Sequence, residues 1–257
     1  MALNLSVVIP AYEHLEKVLV CLNSLQAFAT HKNQYIVSDD ASPNTLYPAL
    51  LPPCLAEVHR RAINGGFCVN VNAGAQQAKG DILLLLNQDV FAVGGFSDGW
   101  DAALLAAFDN PAVGIVGVRL LFPDGKIQSA GGMYDGKCQP YHRNLGWSVL
   151  THPDINTPRS VSWTTGGALA IRRIIWEQLG GVDEGYTRGY GEDVDLCERV
   201  KQVGYKVWYE PRATFVHSVG STGGNPYFTQ NLLRFKKKWV DSGIVKPDTQ
   251  AIYERFW

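Results

Sequence analysis

Three short apolar runs stand out in the first hundred residues, at positions 5–9, 35–37 and 82–86. Each run is apolar at consecutive rather than alternating positions, which is typical of strands buried on both faces in a parallel sheet. A polar cluster follows each run, at 10–13, 39–40 and 87–89. The pattern therefore predicts three strands that end in polar side chains.

Helical spacing fills the gaps between these runs. Apolar residues recur at intervals of three and four between 15 and 25, and again between 69 and 78. The order strand, helix, strand predicts right-handed crossovers and a parallel sheet flanked by helices. Ligands of such sheets bind beyond the carboxyl ends of the strands, where the three polar clusters are expected to converge. One cluster alone is more typical of a solvated loop, but three together favour a binding site.

The pattern is less regular beyond about residue 112, with glycine pairs at 131–132 and 166–167 and an amphipathic segment from Asp193 to Val203. No repeat, low-complexity tract or linker rich in proline and glycine separates this part from the first. Residues 1–257 are therefore expected to form a single α/β domain, with a smaller mixed region after the parallel sheet.

The charge balance argues against a general attraction to polyanions. The chain has 23 Lys and Arg against 24 Asp and Glu, for a formal net charge of -1, so no global field recruits nucleic acid or an anionic membrane. The five cysteines form no CxxC pair, which predicts reduced core thiols. No apolar run approaches the roughly 18 residues of a membrane span and no basic leader pattern is present, so the expected location is cytoplasmic.

Asp89 is the first candidate for chemistry because it closes the third polar cluster. A carboxylate at the end of a buried strand is a suitable ligand for Mg²⁺ or Mn²⁺, which prefer oxygen ligands and tolerate an imidazole. A divalent cation neutralises the negative charge that develops on a departing diphosphate. The residue type and its position therefore point to metal-assisted transfer from a nucleotide-linked donor.

An ordered set of motifs resembles glycosyltransferase family 2, and within it the bacterial rhamnosyltransferase-like members. Each motif alone is weak evidence, whereas the set, which agrees in order and approximate spacing over residues 5 to 240, is specific. The matching stretches are VVIPAY (7–12), VSDDAS (37–42), NGGF (64–67), NAG (72–74), LNQDV (86–90), GGA (166–168), GEDVDLC (191–197), and His217 with Ser221. The resemblance implies the GT-A fold, a Rossmann-like mostly parallel sheet flanked by helices, and transfer of a sugar from a nucleotide-diphosphate donor to an acceptor hydroxyl.

The resemblance also implies which residues bind the donor. Asp40 is expected to bond the edge of a pyrimidine, which predicts a UDP- or dTDP-linked sugar, and Gln88 to face the ribose or diphosphate. Glycine at position 66 permits positive φ and close approach of the backbone to the donor. The family more often has Asn where this chain has Glu13. The full set of expected donor-binding residues is Pro10, Ala11, Tyr12, Glu13, Asp40, Asn64, Gly66, Asn72 and Gln88.

Residues 87–89, Asn-Gln-Asp, occupy the place of the family's DxD motif. Asn stands in the first acidic position, as in many rhamnosyltransferase-like members, so Asp89 is the metal ligand expected from this motif. His217 resembles the family's second metal ligand. A lone His after an apolar run is more often structural, but the motif context favours a ligand. The resemblance thus implies one Mn²⁺ or Mg²⁺ ion held by Asp89 and His217.

Direct displacement at an anomeric carbon needs a general base that takes the proton of the acceptor hydroxyl. In the family the Asp of a Glu-Asp pair has this role, which the resemblance carries to Asp193, and Glu192 is expected to orient the acceptor. An alternative is that Glu192, Asp193 and Asp195 are acidic residues of a first helical turn, favoured by the helix dipole. That alternative does not explain the segment 185–191, which resembles a flexible acceptor gate. The predicted reaction is a single displacement with inversion.

Acceptor recognition is expected in the less patterned half of the chain. The weaker assignments are Trp163, Gly166, Gly167 and Tyr190, with the aromatic rings available for stacking on sugar faces. Such aromatics are nevertheless more often core or rim residues. The basic run 234–238 has four cations that suit a diphosphate, an anionic lipid surface or a nucleic-acid backbone. A solvated helix face is the favoured interpretation of that run.

The resemblance predicts an inverting, metal-dependent hexosyl- or deoxyhexosyltransferase of bacterial or phage glycan synthesis. Its acceptor is a glycan, a lipid-linked molecule or another hydroxyl. Residues 1–111 are expected to bind the donor, residues 112–225 to bind the acceptor and carry the catalytic groups, and residues 226–257 to form a C-terminal helical segment. Peripheral contact with the inner membrane face is compatible with this function. The donor sugar, the base, the linkage and the oligomeric state stay open.

Rival functions have less support. A nucleotidyltransferase that makes the activated sugar needs a glycine-rich loop with Arg and Lys after the first strand, and residues 10–14 do not provide one. A dehydrogenase needs GxGxxG at the same place, which the sequence lacks. A silent carbohydrate- or nucleotide-binding protein is favoured by Asn87 but opposed by Asp89, Asp193 and His217. A modified nucleic acid stays open as an alternative acceptor.

Overall fold

The computed structural model describes residues 3–43, 51–52, 54–148, 153–218 and 225–248. Its strands are β1 (Leu5–Ala11), β2 (Gln34–Asp39), β3 (Glu57–Arg60), β4 (Ile82–Leu86), β5 (Val90–Phe91), β6 (Val113–Leu121), β7 (Ile127–Ser129), β8 (Gly132–Tyr134), β9 (Pro140–His142), β10 (Arg159–Ser160), β11 (Ala168–Arg172) and β12 (Lys206–His217). The three strands expected from the apolar runs are β1, β2 and β4, and the first two extend into the polar residues that follow.

The helices lie between these strands. They are α1 (Leu15–Phe28), α2 (Phe67–Ala75), α3 (Trp100–Ala107), α4 (Arg173–Leu179), α5 (Glu192–Gln202) and α6 (Phe228–Phe235), with a 3-10 turn at Pro153–Asn156 and a π-helical turn at Lys236–Val240 that continues α6. No helix within the ranges described above is long and apolar enough to span a membrane.

One large sheet has the strand order β10-β12-β6-β11-β4-β1-β2-β3. β1 pairs in parallel with β2 and β4, and β2 pairs in parallel with β3, as the strand, helix, strand pattern predicts. β11 runs antiparallel between β4 and β6, which joins the second half of the chain to the first. The expected α/β class is confirmed, with parallel pairing among β1, β2, β3 and β4 and mixed pairing in the rest of the sheet.

Helices cover both faces of the sheet. Val7 and Ile9 of β1 pack in one core with Leu22 of α1 and Trp100 of α3. Val8, which points to the opposite face, packs in a second core with residues of α2, α4 and α5. Both sides of β1 are therefore buried, which is why its sequence is apolar at consecutive positions.

Helix α5 begins where the sequence changes from glycine-rich to acidic. Gly191 precedes it with a φ of 102°, a conformation that residues with a side chain rarely adopt. Glu192, Asp193 and Asp195 lie in its first turn, and Arg199 and Lys201 in its last. This arrangement of charges complements the helix dipole. The dipole therefore accounts for the acidity of the turn, and the surroundings of each carboxylate must decide its role.

The cysteines are only partly core residues. All five are free thiols; Cys21, Cys68 and Cys197 are buried as expected, whereas Cys138 is half-buried and Cys54 is exposed. The prediction is wrong for Cys54 because it lies in the connection between β2 and β3, outside both cores.

Candidate active site

The polar clusters after β1, β2 and β4 meet at one edge of the sheet. Gln88 links β4 to β1, because its Oε1 accepts the Tyr12 N–H at 3.1 Å and its Nε2 donates to the Tyr12 carbonyl at 3.2 Å. The Asp40 N–H donates to the Ala11 carbonyl at 2.9 Å, which joins β2 to the same place. The sequence resemblance implies that Gln88 faces the ribose or diphosphate. Its amide is instead bonded to the backbone of the segment that follows β1.

The segment after β1 presents one aromatic ring at this edge. Pro10 and Ala11 are buried, whereas Tyr12 keeps 38% of its surface exposed. Glu13 has a positive φ of 56°, and its N–H donates to Ser42 Oγ at 2.8 Å. Non-glycine residues at positive φ are strained, and such strain is common at ligand sites. Among the four residues of the cluster, Tyr12 is the one with an exposed ring.

Asp40 is buried at the end of β2 and holds the glycine-rich loop. Its carboxylate accepts the N–H groups of Gly65 at 3.0 Å and Gly66 at 2.8 Å, and it forms an ion pair with Arg61. Asn64 supports the same turn, since its Oδ1 accepts the Gly66 N–H at 3.2 Å. Asp40, Asn64 and Gly66 are therefore brought together as one connected unit.

Two asparagines of α2 have different surroundings. The Asn72 amide donates to the Val182 carbonyl at 3.0 Å and to the Glu184 carboxylate at 2.9 Å, and it accepts the Val182 N–H at 3.0 Å. Asn72 therefore does not join the other expected donor residues. Asn70, which the sequence did not single out, is buried under the strand ends and donates to the Ser38 carbonyl at 2.7 Å.

Asp89 and His217 come together because β5 pairs antiparallel with β12. In that pairing His217 lies opposite Val90, and the Ser218 N–H donates to the Asp89 carbonyl at 3.0 Å. The two side chains meet, with His217 Nε2 at 3.1 Å from Asp89 Oδ1. On the other side of the ring, His217 Nδ1 lies 2.7 Å from Gln128 Oε1. Backbone pairing thus brings the two expected ligands together.

The geometry of this pair fits a small divalent cation. Two ligands at right angles, each about 2.1 Å from an ion, are about 3 Å apart. The distance of 3.1 Å between His217 Nε2 and Asp89 Oδ1 agrees with that value, and both atom types suit Mn²⁺ and Mg²⁺. No cluster of three or more metal-binding side chains occurs in the part of the chain that the structure describes. Within the described residues, the expected ligand set is therefore the pair Asp89 and His217.

The Gly166–Gly167 turn before β11 connects this pair to α5. The Gly166 N–H donates to Asp193 Oδ2 at 2.9 Å, and the Gly167 carbonyl accepts the Asn87 N–H at 3.0 Å. A Cβ on Gly166 would lie 3.3 Å from Asp193 Cβ, and one on Gly167 would lie 3.5 Å from the His217 ring. The absence of side chains in this turn leaves room beside both groups.

Glu192 and Asp193 differ in how their charges are supported. Asp193 accepts the Gly166 N–H through Oδ2 and the Val194 N–H at 2.8 Å through Oδ1. Burial raises the pKa of Asp193, and these backbone bonds act in the opposite direction. Burial, and then the charge of Asp193, raise the pKa of Glu192 well above its usual value. Because Glu192 Oε2 is also buried without a hydrogen bond to a described residue, the pair favours one charge, on Asp193.

Of the two aromatic residues expected to bind the acceptor, one is buried and the other is exposed. Trp163 is 4% exposed and its indole N–H donates to a backbone carbonyl. Tyr190 is 53% exposed, has a φ of 69°, and meets the Phe228 ring edge-on at 5.7 Å. Asn231 fixes this loop by donating to the Gly189 carbonyl at 2.5 Å. Tyr190 is thus an exposed ring held in a strained loop three residues before Asp193.

Most cations of the C-terminal basic run form ion pairs with aspartates of the same chain. Arg234 and Lys238 form ion pairs with Asp183 and Asp195, at 2.8 Å and 2.6 Å, and Lys236 pairs with a nearby aspartate. The favoured interpretation of a solvated helix face therefore holds only in part, because two of these cations anchor α6 to the rest of the fold.

Besides Asn70, sequence reasoning missed two further polar residues of the site. Gln128 contacts His217, and no motif marks it. The His142 ring lies 5.0 Å from that of Trp163, and burial, followed by the charge of His217, lowers the pKa of His142 to about 4. Ser221, which belongs to the last matched motif, lies outside the described residues.

Comparison with known proteins gives sequence matches over much of the chain. The model described as Glycosyl transferase family 2 matches residues 6–158. An O-antigen biosynthesis protein of Myxococcus xanthus is 34% identical over 151 residues, which cover 57% of this chain and 12% of that protein. The N-acetylglucosaminyl-diphospho-decaprenol L-rhamnosyltransferase of Mycobacterium tuberculosis is 33% identical over 138 residues, which cover 49% of this chain and 44% of that enzyme. The chain thus spans less than half the length of these relatives.

Solved structures share the architecture. The structure of GalNAc-T7 with UDP, GalNAc and Mn²⁺ matches with a TM-score of 0.76 at 21% identity, over 94% of this chain and 50% of that one. The mannosyltransferase PcManGT of Pyrobaculum calidifontis, in complex with GDP-Man and Mn²⁺, matches with a TM-score of 0.66 at 17% identity, over 94% and 65% of the two chains. At these identities the likeness shows the fold alone, and it confirms the GT-A fold expected from the motifs.

Proposed function

Because the chain belongs to glycosyl transferase family 2, we propose that it transfers a sugar from a UDP- or dTDP-linked donor to an acceptor hydroxyl, with inversion at the anomeric carbon. The observation that carries this proposal is the arrangement around the Gly166–Gly167 turn, where Asp193 bonds one glycine and the Asp89–His217 pair lies beside the other. A displacement needs charge neutralisation for the leaving diphosphate and a base for the attacking hydroxyl, and these groups supply both.

In this proposal Asp40 recognises the donor base. A carboxylate has about four acceptor positions, and Gly65, Gly66 and Arg61 occupy three of them. The remaining position suits the ring N–H of uracil or thymine. The exposed ring of Tyr12 is available to stack on the base. These features support a pyrimidine nucleotide.

Asp89 and His217 are the proposed ligands of Mn²⁺ or Mg²⁺. When bound, the cation neutralises the diphosphate charge that grows as the bond to the sugar breaks. The Mn²⁺ ions in the structures of GalNAc-T7 and PcManGT support this class of cofactor. Asn87 Oδ1 is buried without a hydrogen bond to any described residue. Because such an acceptor is costly to leave unpaired, a hydroxyl of the donor is its proposed partner.

Asp193 is the proposed general base. Each of its carboxylate oxygens uses one acceptor position for a backbone N–H, so a second position on each remains for the acceptor hydroxyl. Burial raises the pKa of this carboxyl, which makes it a stronger base at neutral pH. Glu192, whose pKa is raised well above its usual value, keeps its proton and can donate a hydrogen bond that orients the acceptor.

The proposed acceptor side is formed by Tyr190 and the Gly166–Gly167 turn. Tyr190 offers an exposed ring, and aromatic faces stack on sugar rings. The turn leaves room beside the general base and the metal ligands. Trp163 is buried, so in this proposal it shapes the site indirectly, through its contact with His142.

We further propose a role in bacterial or phage glycan synthesis. Relatives named for O-antigen biosynthesis and for rhamnosyl transfer to a diphospho-decaprenol support a glycan or lipid-linked acceptor. A modified nucleic acid is less favoured, because Arg234 and Lys238 pair with aspartates instead of forming a free basic surface. A cytoplasmic location with peripheral membrane contact, and a single domain whose donor and acceptor halves meet near residue 112, remain predictions.

Nucleotide release tests this function without knowledge of the acceptor, because such transferases slowly transfer sugar to water. The protein is incubated with UDP-, dTDP- and GDP-sugars, with Mn²⁺ or with EDTA, and the nucleoside diphosphate released is measured. Release from a UDP- or dTDP-sugar that is lost with EDTA and in Asp89→Ala is expected. A catalytically silent binding protein releases none, and release that persists with EDTA contradicts the metal role.

A further inference from the structure

A β-bulge in β7 has Gln128 as its extra residue. Strands β6 and β7 are antiparallel, with Leu120 opposite Ser129 and Leu121 opposite Ile127. One step along β6 therefore corresponds to two steps along β7, and the residue between them has no partner of its own in the ladder. Bulges of this kind redirect a side chain and are common beside active sites.

The redirected side chain reaches across β6 to β12. These two strands are parallel, with Leu121 opposite Val216, so His217 lies at the level of the bulge. Gln128 Oε1 is 2.7 Å from His217 Nδ1, and Gln128 is only 8% exposed. Because Gln128 is almost fully buried, water competes little with its contact to the ring.

The contact favours hydrogen on the ring nitrogen of His217 that faces Gln128. An amide oxygen can only accept, so the nitrogen that faces it, Nδ1, is the donor. In a neutral imidazole the other nitrogen, Nε2, then has a lone pair. That atom lies 3.1 Å from Asp89 Oδ1. With a cation present, this lone pair and the carboxylate oxygen can be neighbouring ligands; without one, Nε2 can carry a hydrogen of its own and donate it to Asp89.

We propose that Gln128 is a positioning residue, which fixes His217 as the Nδ1–H tautomer and so presents Nε2 to the divalent cation. The identity of the cation rests on the function proposed above, whereas the tautomer is a property of the protein alone. Glutamine is well suited, because it accepts a hydrogen bond without adding negative charge near Asp89. Removal of such a supporting group typically weakens metal binding by about 10- to 100-fold.

Manganese binding is the first test. Free Mn²⁺ is measured by electron paramagnetic resonance during titration of the protein with UDP present, for the wild type, Gln128→Leu, Gln128→Glu and Gln26→Leu. Gln128→Leu removes the acceptor and is expected to raise the Kd for Mn²⁺ by about 10- to 100-fold, whereas Gln128→Glu keeps an acceptor oxygen and restores most of the affinity. Gln26→Leu is the matched control, because it also removes one amide bond, to the Leu55 carbonyl at 2.8 Å, but on α1. A Gln128→Leu protein that is folded and binds Mn²⁺ like the wild type overturns the proposal.

The tautomer is the second test and does not depend on the enzymatic function. Long-range ¹⁵N–¹H correlation spectra of histidine-labelled, metal-free protein identify the protonated ring nitrogens, with His217→Gln used to assign the signals. The wild type is expected to carry hydrogen on Nδ1 of His217, whether or not Nε2 also carries one, and Gln128→Leu to carry it on Nε2 alone, where Asp89 accepts it. An unprotonated Nδ1 in the wild type contradicts the proposal. If the wild type binds no Mn²⁺, the metal role fails while the spectra still decide the tautomer.

Discussion

Asp193→Asn is expected to lower kcat by about 10²- to 10⁴-fold while the affinity for the donor nucleotide stays unchanged. The amide has nearly the shape of the carboxylate but cannot remove a proton from the acceptor hydroxyl. Because that interaction is made chiefly in the transition state, the loss appears in kcat rather than in binding. It corresponds to about 3 to 5 kcal/mol of activation free energy.

The same substitution has a separate cost in stability. Both oxygens of Asp193 accept backbone N–H groups, from Gly166 at 2.9 Å and Val194 at 2.8 Å. An asparagine has one oxygen, so one of these N–H groups must face an NH₂ group and loses its partner. Such a loss costs about 1 to 3 kcal/mol, out of the roughly 5 to 15 kcal/mol that stabilises a typical domain. The variant should fold, with a lower midpoint of unfolding.

A control in the same helix separates the two effects. Asp195 accepts hydrogen bonds from Trp239 at 2.8 Å and from Arg199 at 2.8 Å, so Asp195→Asn should also lower stability. It should nevertheless keep kcat, because its carboxylate is directed at α6 and the end of its own helix. Both variants are assayed for nucleotide release below their unfolding transitions, and UDP binding is measured by calorimetry. A near-normal kcat for Asp193→Asn, an equal loss in Asp195→Asn, or a transfer product with retained configuration would refute the assignment.

Three further changes have distinct expected outcomes. Asp40→Ala should weaken UDP or dTDP binding about tenfold or more, measured by calorimetry, because a charged hydrogen bond is lost; equal or tighter binding of GDP by the wild type argues against pyrimidine recognition. Glu192→Gln should gain stability relative to the wild type as pH rises above about 4.5. Burial and the charge of Asp193 raise the pKa of Glu192 above 4.5 in the folded protein. The wild type therefore loses stability with rising pH until the folded side chain ionises, and the variant does not. Urea unfolding of the two proteins between about pH 5 and pH 8 checks this sign. A difference in the free energy of unfolding that stays constant with pH contradicts it. Gly132→Ala should destabilise the fold by about 1 to 3 kcal/mol, because its Cβ would lie 2.0 Å from the Trp163 ring; Gly136→Ala, where nothing lies within 4 Å, is the control in thermal unfolding.

The parallel half of the fold was predictable because its signal is local. Consecutive apolar residues in β4 mean burial on both faces, and the polar residue that ends such a strand must lie at the sheet edge. Asp89 could therefore be located from its neighbours in sequence. His217 could be paired with it only through the family resemblance, because the contact depends on the pairing of β5 with β12.

Other features of the site depend on packing between distant segments. Trp163 looks like a sugar-stacking residue in the sequence, yet it is buried because Gly132 leaves space for its ring. Asn72 is the residue of α2 expected to bind the donor, and only the helix orientation shows that it is bonded to residues 182–184, whereas Asn70, which no motif marks, lies under the strand ends. Gln128 is marked by no motif, since a bulge is a mismatch between two strands and neither sequence reveals it alone.

The central claim is that one divalent cation, held by Asp89 and His217, lies beside the Gly166–Gly167 turn that also contacts Asp193. Anomalous diffraction at the manganese edge, from crystals grown with Mn²⁺ and UDP, tests it most directly. The account predicts a single strong peak bonded to Asp89 and to Nε2 of His217 and in contact with the diphosphate. Bound UDP with the manganese peak elsewhere, or with no peak at these two side chains, would contradict it.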